Sequence, residues 1–210
     1  MTTIDLYKHY PELETCKEDI EKALALLIKT YRSGNKVLLC GNGGSCADCD
    51  HIVGELLKGF LLRREPDETL KAKIDALGLG EDGKHLAENL QMGLPAISLH
   101  SQSALLSAFS NDVAADTVYA QTLLGLASPG DLLICLSTSG NSKNVVYAAM
   151  LAKAMGLPII SMTGARESKL SALSDATVRV PSTETYRVQE YHLPVYHYLC
   201  AEVERTFFDC

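Results

Sequence analysis

Two segments of this chain carry side chains suited to holding a metal or moving protons. His51 and Glu55 are four residues apart, so on a helix they share one face. A second segment, RVQEYHLPVYHYLC, carries Gln189, His192 and His197. Eight residues of helix set Gln189 and His197 about 80° apart around the axis, two turns along. His51, Glu55, Gln189 and His197 together can hold a divalent metal or share proton-transfer work. The His51/Glu55 pair alone reads as a surface contact; the second segment gives it weight. His192 reads instead as a partly buried histidine.

Next to the first pair lies a loop suited to anions. A short apolar run, Val37 to Cys40, leads into Gly41-Asn42-Gly43-Gly44-Ser45, and a helical pattern follows. Glycines let backbone approach a ligand, and free N–H groups at a helix start favour negative charge. A second loop of the same kind, Ser137-Thr138-Ser139-Gly140-Asn141-Ser142, follows the run Leu132 to Leu136. One residue, Asn141 or Ser142, would suffice to cap the next helix. Four hydroxyls (Ser137, Thr138, Ser139, Ser142) point to a phosphate held by neutral donors. A dinucleotide is disfavoured: the fingerprint needs glycine where Cys46 stands, and His100-Ser101 occupies the place of the ribose-binding acid. Cys46-Ala47-Asp48-Cys49 has redox-motif spacing, but no second cysteine pair exists to close a thiolate zinc site, and a structural role is expected.

The elements that must position these residues alternate. Leu13, Cys16, Ile20, Leu24, Leu27 and Tyr31 form the stripe of an amphipathic leading helix, ended by Ser33-Gly34-Asn35. It can pack on a partner subunit or on its own sheet. Strands are expected at Val37–Cys40, Pro95–Leu99, Leu132–Leu136, Ile159–Met162 and Ala176–Val180. Helical spacing runs from Ser103 to Leu126 with a break near Ser110-Asn111-Asp112, from Ser142 to Met155, and from Glu184 to Phe208. Pro194 is expected to kink the last helix before His197. The charge-dense stretch Leu61 to Gly93 reads as an excursion holding two short helices, near Asp67–Leu77 and Lys84–Gln91, with His85 on a solvated face. Apolar strands alternating with helices predict an α/β, doubly wound (flavodoxin-like) five-stranded parallel sheet. Its ligands bind beyond the carboxyl ends of the strands, where both loops fall. The reading is one domain over 1–210, with 1–35 as an added N-terminal helix and 61–93 as a helical insertion.

A formal net charge of −7 argues against nucleic acid or an anionic membrane as partner. No apolar run is long enough to span a bilayer, and the polar start lacks the apolar core of a signal peptide. Seven cysteines, an odd number with several in apolar runs, fit reduced thiols in a cytoplasmic protein.

GNGGS, STSGNS and RVQEYH followed by a second histidine, in this order, resemble the sugar isomerase (SIS) domain family, nearest its phosphoheptose isomerase branch. The resemblance covers nearly the whole chain. It implies a homotetramer with active sites between subunits. It implies one zinc ion per site at His51, Glu55, Gln189 and His197. It implies conversion of sedoheptulose 7-phosphate to an aldose through an enediol, with Glu55 and His197 exchanging protons at C1 and C2. Ser45, Ser137, Thr138, Ser139 and Ser142 match sugar-phosphate contacts, Gly43 and Gly44 lie in the same loop, and Asn42, Asp112 and Gln189 match positions near the sugar. The chain departs from the family in four ways: Gly59 stands where an arginine is common, with Lys58 beside it; Tyr186 stands where an aspartate is common; the insertion replaces a short connection; and Pro194 sits inside the site helix. These departures bear on which sugar phosphate is used. Non-catalytic SIS proteins that bind a replication initiator, and sugar-phosphate-sensing regulators, are the alternatives. The first lack the glutamate and second histidine present here, and no DNA-binding module accompanies this chain.

Overall fold

The computed structural model describes residues 4–209. Five strands form one sheet in the order β2-β1-β3-β4-β5, with every neighbouring pair parallel. They are β1 (Val37–Cys40), β2 (Ala96–Ser98), β3 (Leu132–Leu136), β4 (Ile159–Thr163) and β5 (Ala176–Arg179). This is the doubly wound order that the alternation of apolar runs and helices predicts. Side chains of a strand alternate between faces, and the core divides accordingly. Leu38, Cys40, Leu133 and Cys135 face α7 (Val118–Leu126) and α8 (Lys143–Ala154). Val37, Leu39, Leu132 and Ile134 face the other layer, built from α2 (Lys17–Arg32), α3 (Gly44–Leu57) and α10 (Thr185–Phe208). The helix after the first glycine loop and the last helix therefore share a layer and touch.

The leading segment is a short α1 (Leu6–His9), a 3-10 turn begun by Pro11, and then α2. Its apolar stripe is buried in this chain's own core, against β5 and α10, which is the second of the two packings open to it. The stretch Leu61 to Gly93 holds two helices: α4 (Glu68–Asp75) lies within its expected span, whereas α5 (Gly80–Asn89) starts four residues before the expected Lys84, and His85 is exposed. The break expected near Ser110 is a π-helical turn, Ser110–Ala114, after α6 (Ser103–Phe109). A short α9 (Lys169–Leu173) precedes β5. Helix α10 continues through Pro194, whose ring is buried. No helix among the described residues is long and apolar enough to cross a membrane.

Candidate active site

Helix α3 begins without a side-chain cap. The first N–H groups of any helix lack intrahelical partners, so those of Gly44 and Ser45 are free to meet an anion at the carboxyl edge of the sheet. Gly44 sits close against α10: an added Cβ would stand 2.6 Å from Gln189 Nε2 and would push that side chain aside. This approach lays the Gln189 side chain of α10 against the first loop. Helix α8 also starts without a side-chain cap, although Ser142 is its N-cap residue. The Ser142 hydroxyl instead pairs with Ser137 Oγ at 3.0 Å. The two helix starts are joined by a reciprocal amide pair, Asn42 to Asn144, at 2.8 and 2.9 Å. Tyr119 buttresses the first loop by donating to Gly41 O at 2.7 Å. Thr138 and Ser139 line a cleft of about 170 Å³ together with Asn141, Gly164, Arg166 and Thr183. Ser45 and Ser137 are buried.

The titratable cluster lies further along the α3–α10 seam. His51 Nε2 is 3.2 Å from Glu55 Oε1, and Lys58 Nζ is 3.0 Å from the other carboxylate oxygen. His51 and His197 meet edge to face with ring centroids 5.0 Å apart, and Phe60 covers His197 at 5.4 Å. Burial, and then the neighbouring His51, hold the His197 imidazole below its ordinary pKa, against the pull of Glu55. Behind His51 stands a relay. Tyr196 donates to Asp48 Oδ1 at 3.2 Å, and its oxygen lies 3.0 Å from His51 Nδ1. If the tyrosine proton goes to Asp48, Nδ1 of His51 donates to Tyr196, and its Nε2 is the nitrogen that faces Glu55. Burial pushes the Asp48 carboxyl up despite the Tyr196 hydrogen bond, and its Oδ2 is buried without a partner.

An imidazole nitrogen facing a carboxylate oxygen at this distance calls for a proton or a cation between them. A separation of 3.2 Å is also close to the roughly 3.3 Å edge between donors bound at about 2.0–2.1 Å to a tetrahedral zinc ion. The His51–Glu55 pair thus fits a metal in chemistry and spacing. Among the described residues, no trio of His, Cys, Asp or Glu side chains is close enough to hold an ion; Gln189 lies against Gly44 and His197 against the His51 ring.

Other expected residues stand apart. Asp112, in the π-helical turn, is exposed and accepts from its neighbour Asn111. His192 is more buried than its sequence suggests, with no exposed surface. Its Nε2 lies 3.4 Å from Thr163 O, and desolvation brings its pKa down to about 4. Cys49 points into the core, and burial raises its thiol pKa; Cys210 lies outside the described residues. The departure at Gly59 has a steric reason: a Cβ there would collide with the Leu62 carbonyl as the chain turns into the insertion. Tyr186 is largely exposed at the start of α10. Asp48, Lys58 and Tyr196 are the participants that motif reading passed over. Asp48 precedes His51 by three residues and Lys58 follows Glu55 by three, a helical spacing that would have placed both beside the pair.

Comparison with known proteins agrees with this fold. A family model of the SIS domain matches residues 9–77 and 72–164. A phosphoheptose isomerase of Shewanella loihica is 36% identical over 198 residues, covering 93% of this chain and 87% of the relative. The structure of phosphoheptose isomerase from Neisseria gonorrhoeae superposes with a TM-score of 0.71 at 27% identity, covering 94% of this chain and 95% of that one. For a phosphoheptose isomerase from Francisella tularensis the values are 0.73, 25%, 98% and 100%.

Proposed function

The chain belongs to the SIS-domain proteins, in the phosphoheptose isomerase family, and we propose that it interconverts sedoheptulose 7-phosphate and its aldose isomer. The observation that carries this reading is the seam itself. One pair of helices presents Glu55 and His197 together, and α3 of that pair starts at an uncapped anion site. Ser45, Ser137, Thr138, Ser139 and Ser142 would hold the phosphate, with Asn42, Gly43, Gly44, Asp112 and Gln189 toward the sugar. Ten residues of helix separate Ser45 from Glu55, about 15 Å of rise. Side chains on a helix lean back toward its N-terminus, which shortens that gap but leaves the two ends of the substrate well apart. This suits a long sugar phosphate better than a triose.

Isomerisation needs a base on one carbon and an acid on its neighbour. In the direction from the aldose, His197 takes the C2 proton; its lowered pKa keeps it unprotonated and ready at neutral pH. The freed electron pair forms the C1–C2 enediol, a proton passes between the two oxygens, and Glu55, which enters this direction as the carboxylic acid, delivers its proton to C1 and is left as the carboxylate. The reverse direction uses the same groups with roles exchanged. Lys58 holds one Glu55 oxygen and leaves the other toward His51. His51, Glu55, Gln189 and His197 would be the ligands of a zinc ion, and a bound ion would polarise the carbonyl as a Lewis acid. The reading includes assembly as a homotetramer, with sites between subunits, acting in the cytoplasm on a phosphorylated sugar.

The test is conversion of sedoheptulose 7-phosphate by the purified protein, before and after chelation and with zinc restored. Glu55→Gln should lower kcat by about 10²- to 10⁴-fold, the range of a lost general base, while the protein keeps its fold by circular dichroism. Turnover equal to wild type in that variant would remove Glu55 from proton transfer. In His51→Ala the zinc content, read by elemental analysis, should fall. Undiminished zinc there would take His51 out of the metal set.

A further inference from the structure

A buried ion pair joins the two helices that carry the candidate catalytic groups, and the proposed reaction mechanism does not use it. Arg64, at the root of the insertion, is 1% exposed, and so is Glu204 on α10. Arg64 Nε donates to Glu204 Oε1 at 2.7 Å. Its two remaining nitrogens donate to the last turn of α3: Nη1 to Leu56 O at 2.6 Å and Nη2 to Glu55 O at 2.9 Å. The guanidinium also lies 4.8 Å over the Phe208 ring. Glu204 is equally saturated, accepting from the backbone N–H groups of Phe60 and Leu61 at 2.7 Å and of Leu62 at 3.1 Å.

Helix α3 ends with Lys58 extended at its C-cap, so its last carbonyls need outside donors. Arg64 supplies one to the carbonyl of Glu55, the residue that bears the candidate base, and joins the Leu94 N–H at Leu56 O. Its counter-charge sits seven residues beyond His197, two turns along and on the same helical face. The link runs from the Glu55 backbone through Arg64 and Glu204 to the face of α10 that presents His197. Glu204 also gathers the chain from Phe60 to Leu62, and Phe60 is the ring against His197.

We propose that Arg64 and Glu204 are positioning residues for the isomerase site, setting the Glu55 end of α3 against His197 on α10. The proposal rests on the reading of Glu55 and His197 given above. A planar fork reaches the carboxylate and both carbonyls at once, which the point charge of a lysine cannot do. The test is therefore Arg64→Lys, which keeps the charge. The expected result is a cooperative melt close to wild type, kcat lowered at least about tenfold, and KM for sedoheptulose 7-phosphate changed less than about twofold. The His51 and His197 imidazole resonances should shift by NMR. An unchanged kcat with unmoved resonances in a folded protein would overturn the proposal, as would restored stability and activity together in the double variant Arg64→Leu/Glu204→Leu, which would mark the pair as purely structural. If Arg64→Lys fails to fold, Glu204→Gln is read by the same measurements. If the wild type turns over no sugar phosphate, the isomerase reading fails. The resonances then decide alone: a shift upholds the geometric link, and no shift overturns it.

Discussion

The root and the tip of the insertion use the same residue types to opposite effect. At the tip, taken as α4, Lys71 pairs with Glu68 at 3.0 Å and reaches back to Glu65 at 3.3 Å, with both carboxylates exposed. At the root, Arg64 and Glu204 meet at 2.7 Å with almost no exposure. Exposed pairs exchange one well-solvated state for another and contribute little. A buried pair has given up its hydration, so each partner depends on the other and on the surrounding hydrogen bonds. The comparison shows that the charge density of a segment says nothing of which charge matters. Of the many charges in Leu61 to Gly93, Arg64 reaches the site helices and is saturated there.

The sharpest way to break this contrast is to remove one buried partner. Glu204→Leu leaves the buried Arg64 charge without its counter-ion, and Arg64 Nε and three backbone N–H groups without their acceptor, and should cost about 3–5 kcal/mol in denaturant unfolding. A loss below about 1 kcal/mol would mean that water reaches the root and that it resembles the tip.

A second buried group tests the same principle through pH. His192 has a folded pKa of about 4, against 6.5 unfolded. Between these values the unfolded chain binds the proton and the folded one does not. Stability should therefore decline as pH falls from about 6.5 to about 4, by about 3 kcal/mol in all, with no further contribution below that. Subtracting the curve of His192→Gln, which retains a donor for Thr163 O, isolates this component. A difference curve flat over the window would show that His192 takes up its proton without leaving the fold.

At the small end, Lys71→Ala at the tip should leave the denaturant midpoint unmoved within error. A clear drop would show that the exposed pairs of α4 hold the insertion together and would narrow the contrast between tip and root.

Much of the site could be read from local pattern. The loops at 41–45 and 137–142 follow buried strands, and chain direction alone puts both at the carboxyl edge of a parallel sheet. The i, i+4 spacing of His51 and Glu55 yields a contact between neighbours on one helix, and it is found at 3.2 Å. Other features depended on partners far along the chain. Tyr196 bridges His51 and Asp48 from nearly 150 positions away, and sequence spacing carries no record of such a meeting. Glu204 lies on the His197 face by helical arithmetic, but its role needed Arg64, hidden among charges that look solvated.

By itself, then, the sequence determined the layered α/β architecture, the order of its elements and the short-range pairs. Strand alternation, helical period and turn residues act over a few positions and carry their geometry with them. Tertiary structure alone decided that α2 packs on its own sheet, that Gln189 lies against Gly44, and that Arg64 is buried. Each of these depends on where two distant surfaces meet and exclude water, and it is that exclusion which turns an ordinary charge or amide into a committed one.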